Sequence, residues 1–184
     1  ALYNAMEATA GLWGATFVHD SFGISTSDAA LTSTLYFGAL TVGRIAAGFA
    51  ASRRSDRQLI RTGMAVSALG MLLTWLAGSA WLAMGGIFLT GLGFAPMYPA
   101  MLHTTPSYFS AELSQQVMGV EMAFAYVGST CFPPLFGALA APLGTSMYPG
   151  FLLGCLLLAA AAIELADRLF SAREFCGKGE KQII

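Results

Sequence analysis

The chain has 184 residues, 56% of them hydrophobic and 10% charged, where a soluble globular domain carries about 25% charged residues. Nine Lys and Arg against ten Asp and Glu leave a net charge of -1, so no basic field is available to hold a phosphate backbone, and nucleic acid is excluded as an expected partner. A mean hydropathy of +0.65, together with long uncharged runs rich in glycine, points instead to an all-α integral membrane protein.

The first apolar segment is read as a membrane span and not as a signal peptide. It has no basic leading region, carries Glu7 inside the apolar stretch, and precedes no small-residue cleavage site. The expectation is a piece of a longer polypeptide. A span needs about 20 mostly apolar residues, and six such segments are found, at about residues 2–18, 30–51, 62–77, 81–103, 114–140 and 148–165. The first closes at His19, Asp20 and a polar stretch. The second ends at Ser52, Arg53 and Arg54, and Gly78-Ser79-Ala80 turns the chain between the third and fourth. Gly91, Gly93, Pro96 and Pro99 interrupt the fourth span, which is the pattern of a kinked membrane helix beside a cavity. Pro133 and Pro134 fall in the second half of the fifth. Residues 1–166 thus form one six-span unit and 167–184 a tail.

Basic residues set the orientation. Arg53, Arg54, Arg57 and Arg61 follow the second span, and Arg168, Arg173, Lys178 and Lys181 follow the sixth. Both clusters are expected on the cytoplasmic side, which places both chain ends there as well. Cys131 and Cys155 lie in apolar runs and Cys176 in the charged tail, with neither metal-ligand spacing nor a disulfide framework. There is no HExxH, no GxSxG and no Gly-rich phosphate loop followed by Lys, so no enzyme class, cofactor or metal is called for.

Charges inside a bilayer are costly and therefore informative. Arg44 lies eight residues before Ser52, roughly 12 Å from the cytoplasmic end, and Glu121 seven residues after Ser114, roughly 10 Å in from the same side. Equal depth makes them the expected ion pair, structural or gating in role, with Glu7 the next candidate partner for Arg44. Glu7 lies eleven residues before Val18, roughly 17 Å below the outer surface and near the midplane. Ser33, Phe37, Thr41, Arg44 and Gly48 share one helical face, which is expected to turn Arg44 toward protein; Asn4, Glu7, Gly11 and Gly14 share another. Phe94 and Tyr98 fall four apart beside the prolines. They suit packing as well as a binding wall. His103 reads as a solvated helix-end residue.

The segment holding Gly48, Ser52, Arg53, Arg54, Ser55, Asp56, Arg57 and Arg61, between the second and third of six spans, resembles the GxxxDRxGRR-type loop signature of the major facilitator superfamily. Gly91 to Pro99 resembles the Gly/Pro-rich tenth helix of these transporters, and Gly128 to Gly137 the eleventh. With Tyr3, Glu7, Trp13, Gly43 and Arg44, the pattern is most similar to the sugar-symporter branch related to fucose permeases. Ser52 and Ser55 stand where the loop signature has an acidic residue and a glycine. Asp56 then offers the nearest carboxylate for the family's loop latch.

The resemblance implies the C-terminal half of a twelve-helix secondary transporter, helices seven to twelve, in the plasma (inner) membrane. A missing N-terminal six-helix half, on the same chain or as a partner, would complete it. It implies a small polar solute, such as a sugar, moved with protons by alternating access. Glu7, Asn4, Phe94 and Tyr98 would line the solute or proton site, Arg44 and Glu121 would stand near the contact between halves, and Gly48, Arg53, Asp56 and Arg57 would form the cytoplasmic loop motif. Multidrug-type efflux and a non-transporting half-size subunit or assembly factor are the competing expectations.

Overall fold

The computed structural model describes the backbone of residues 1–108 and 111–180, and the side chains of residues 1–104 and 113–166. Its helices run α1 (Leu2–Phe22), α2 (Thr26–Ala51), α3 (Asp56–Trp75), α4 (Ala80–Phe94), α5 (Met97–Tyr108), α6 (Ala111–Leu143) and α7 (Tyr148–Glu180), with one 3-10 turn at Thr145–Met147 before α7. The turns have local chemical reasons. Gly23 ends α1 in the left-handed region, φ 64°, donating its N–H to the His19 carbonyl. Ser25 caps α2 by accepting from the Asp28 amide, and Ser79 caps α4 by accepting from that of Leu82. At α3, Ser55 and Gln58 form a reciprocal capping box. The basic cluster after α2 is thus followed at once by a rigid helix start.

The fourth expected span is realised as two helices. Pro96 withdraws the amide that would serve Leu92, and Pro99 the one that would serve Ala95, so the ladder fails between Phe94 and Met97. Glycines then bring the neighbours close. A Cβ at Gly70 would lie 2.5 Å from the Thr90 amide nitrogen, and one at Gly63 would lie 2.6 Å from the Gly93 carbonyl, so α3 and α4 pack backbone to backbone. On the other side of α4, a Cβ at Gly43 would meet that of Ala95 at 2.5 Å, which seats α2 against the break.

The first helix is the hub, packed against α2, α4, α6 and α7. Tyr3, Met6, Ala10, Phe17 and Val18 join Tyr36, Ile87, Phe94, Phe136 and Tyr148 in one buried cluster. Two phenols fasten the hub's backbone: Tyr36 donates to the Glu7 carbonyl at 3.0 Å and Tyr148 to the Ala10 carbonyl at 3.0 Å. Large apolar side chains cover much of the outside, Phe49 at 78% exposure and Trp81 at 71% among them. A surface of that kind fits lipid or another protein, not water.

Four helical stretches among the described residues are long and apolar enough to cross a membrane: Thr26–Ala51, Ala80–Thr104, Leu113–Leu143 and Thr145–Ala166. α1 and α3, with 21 and 20 residues, have the length but not the apolar composition. The last helix also runs on to Glu180, where the sequence pattern places a tail from residue 167. The side chains of Arg168, Arg173, Cys176 and Lys178 in that stretch lie outside the described residues, as does Lys181.

Candidate solute and ion-pair site

Arg44 of α2 is bound by Glu7 of α1, guanidinium Nη2 to carboxylate Oε1 at 2.8 Å. The arrangement grows from the packing beneath it. The edge of Phe37 fills the space where Gly11 lacks a Cβ, and Ser33 reaches toward the Gly11 carbonyl at 3.5 Å, so α2 approaches α1 along one stripe and Arg44 arrives beside Glu7 at its end. The expected partner Glu121 sits on α6, which packs against the hub helix and not extensively against α2. The hub stands between α2 and α6, so Glu7, on that helix, is the carboxylate that reaches the guanidinium.

The pair is not sealed. Side-chain exposure is 48% for Arg44 and 21% for Glu7, and Phe37, Thr41 and Gly48 on the same face of α2 include exposed positions along its length. The sequence pattern turns this face toward protein, yet within this chain it lies open. Its closest support comes from α1 along its Gly11 flank. Asn4 is half-buried on α1, less than one turn from Glu7.

A layer of aromatic side chains backs the pair. Tyr3 donates its hydroxyl to the Phe94 carbonyl at 2.9 Å, stacks on Tyr98 with ring centroids 5.8 Å apart, and meets Phe94 edge to face at 5.7 Å. Phe94 has no exposed surface, so it supports Tyr3 from below instead of walling a cavity. Tyr98 is partly buried in the same stack.

Toward the start of α3, a cavity of about 270 Å³ is lined by Arg44, Gly48, Asp56, Pro96, Pro99 and His103, among others. Asp56 and His103 meet there at 2.8 Å, Oδ2 to Nδ1. The His103 N–H donates, and the contact is an ion pair when the imidazole is protonated. Sequence alone reads His103 as a bare helix end. The signal it misses is that Asp56, at the first position of α3, is level with a histidine four residues past Pro99. Arg61 likewise finds Glu164 of α7 at 2.7 Å. Arg53 and Arg57 of the loop motif are exposed.

A second concavity, about 460 Å³, lies between α1 and α6 and is lined by Leu12, Trp13, Thr16, Ser129, Thr130, Pro133 and Pro134. The Trp13 indole N–H donates to the Pro133 carbonyl at 3.0 Å, and its ring lies where Gly137 has no side chain. The consecutive prolines remove the amides that would bond the Ser129 and Thr130 carbonyls one turn back.

Among the described residues, an all-helical bundle with four helices long and apolar enough to cross a membrane and an apolar exterior is the architecture of an integral membrane protein. Residues 2–182 match the profile of the Major Facilitator Superfamily, and the chain belongs to that family. It is 28% identical over 134 residues to the uncharacterized transporter y4wD of Sinorhizobium fredii (strain NBRC 101917 / NGR234), an alignment covering 73% of this chain and 35% of that protein. The chain therefore spans about a third of the relative's length. No solved structure matches it.

Proposed function

We propose that this chain is the C-terminal six-helix half, helices seven to twelve, of a secondary transporter that moves a small polar solute by alternating access. It lies in the plasma (inner) membrane with both ends cytoplasmic. α1, α2, α3, the α4 and α5 pair, α6 and α7 are its six crossings, with α1 and α3 carried by packing despite their polar residues. The observation that carries the reading is the Glu7–Arg44 pair, held at 2.8 Å on an open face of the bundle. A charge pair is retained in such a place where solute or proton exchanges for one of its partners.

Arg44 presents donors to a hydroxyl or carboxylate of the solute, and Glu7 accepts the coupling proton. Asn4 and Tyr98 flank them. A sugar satisfies this site, in keeping with the fucose-permease resemblance. Asp56 and His103 latch the loop motif to α5, and Glu121 stands on α6 at the contact with the other half.

The test is transport by the full-length protein in proteoliposomes, screened by counterflow against monosaccharides and short carboxylates. Glu7→Gln is expected to abolish proton-driven accumulation while exchange persists, because the amide keeps the size and loses the titration. Accumulation that Glu7→Gln leaves unchanged across pH overturns the proton role. The Trp13 groove favours a second reading, multidrug-type efflux, since an indole, Leu12 and two prolines suit a lipophilic guest. Transport of hydrophobic cations, with none of the polar panel, selects that reading.

A further inference from the structure

Tyr3 has one hydroxyl proton and two acceptors beside it. The carbonyl of Phe94, the last residue of α4, takes that proton at 2.9 Å. Glu7 lies one turn along α1 from Tyr3, on the same helix face, and its carboxylate holds the Arg44 guanidinium at 2.8 Å. The Phe94 carbonyl needs a donor from elsewhere because the helix stops there: in an unbroken helix it would accept from the Tyr98 amide, a bond the break between α4 and α5 does not form. Tyr98 instead contributes its ring, stacked on Tyr3 at an interplanar angle of 12°.

We infer that Tyr3 is a positioning residue that passes the state of the Glu7–Arg44 pair to the break between α4 and α5. While Arg44 bonds Glu7 Oε1, the carboxylate's charge is compensated and the phenol stays with the Phe94 carbonyl, which holds the break closed against α1. When Arg44 turns away, the bare carboxylate becomes the stronger acceptor, because a hydrogen bond to an ionised oxygen outweighs one to a neutral carbonyl. Tyr3 then swings its proton to Glu7, and the end of α4 is released. The two bonds exclude each other, so the device has two discrete settings.

Other polar groups nearby have partners of their own. Tyr36 is committed to the Glu7 backbone carbonyl and Tyr148 to that of Ala10, from α2 and α7 respectively. Asp56 and His103, across the cavity that Arg44 also lines, are committed to each other. On the proposed function, solute taken by Arg44 would throw the switch; the device itself needs only the three side chains.

Hydrogen–deuterium exchange of the amides from Ala95 to Met101, in the full-length protein in nanodiscs without solute, tests it. Arg44→Gln strands the carboxylate and is expected to speed exchange there by roughly three- to tenfold, the scale of one net hydrogen bond. Adding Glu7→Leu to Arg44→Gln removes the competing acceptor and should restore the wild-type rate. Tyr3→Phe keeps both ring contacts, loses the proton, and should fix exchange at the fast level whatever stands at position 44. Equal acceleration by Arg44→Gln with and without Tyr3→Phe, or no acceleration by Arg44→Gln alone, overturns the inference. Either result leaves the transport role of the ion pair to its own assay.

Discussion

Thr32 shows how a single hydroxyl sets local stability. Its side chain is wholly buried in α2 and its Oγ1 has no hydrogen-bond partner among the described residues, whereas Thr41, Thr74 and Thr90 each return theirs to the carbonyl four residues back. Its methyl carbon already does the packing, 3.6 Å from where a Gly14 Cβ would stand. Thr32→Val should therefore raise thermal stability in detergent, by about 1 kcal/mol, since it keeps the shape and removes an uncompensated desolvation. A drop of that size would reveal a hidden partner. At the same scale, Arg44 and Glu7 are visible in the sequence as charges, but their pairing is not. Counting back from Val18 puts Glu7 at mid-bilayer. Yet α1 runs to Phe22, which puts Glu7 about 22 Å from that end, on the side of the bundle where Arg44 lies about 10 Å from Ala51. The difference lies in the helix end, where the polar His19-Asp20 pair reads as a stop and the helix continues through it.

Among the elements, the α3–α4 contact is the tightest and the most predictable in its response. A Cβ at Gly70 would sit 2.5 Å from the Thr90 amide, and one at Gly86 would strike the Thr74 hydroxyl. Gly70→Ala and Gly86→Ala should each cost about 1 to 3 kcal/mol, because backbone opposes backbone and nothing flexible can yield. Gly48, in the loop motif, has no neighbour within 4 Å. There alanine should hold or slightly raise the melting temperature, as helix propensity favours it; detergent melting of the three variants separates the cases. Sequence anticipates the interruption in the fourth span because two prolines leave no alternative. It is silent on which glycines face a partner, since Gly48 and Gly70 look alike until the neighbouring helix is in place.

For the whole molecule, the all-helical class is legible, but against six expected spans the described residues form seven α-helices, of which four stretches are long and apolar enough to cross a membrane. α1 carries Glu7 and Asp20, and α3 opens with Asp56, Arg57 and Arg61, so these two helices fall short in apolar composition although the bundle packs them. The proposed orientation rests on the basic clusters and has a direct check. Cys176, flanked by Arg173 and Lys178, should react with a membrane-impermeant maleimide in inside-out vesicles and not in intact cells; Cys155, buried against the core, should be slow in both. Reaction of Cys176 from outside would invert the topology.

The bond from Tyr148 to the Ala10 carbonyl joins residues 138 positions apart, and it bears on how the protein is made. α1 leaves the ribosome before the other helices of this chain, but its partner on α7 is synthesised last of them. Between the synthesis of α2 and that of α7 the hub holds the bond from Tyr36 but lacks the one from Tyr148. The last helix made thus completes the packing of α1, and a nascent chain arrested before Tyr148 would present α1 to membrane quality control with only one of its two phenol bonds formed.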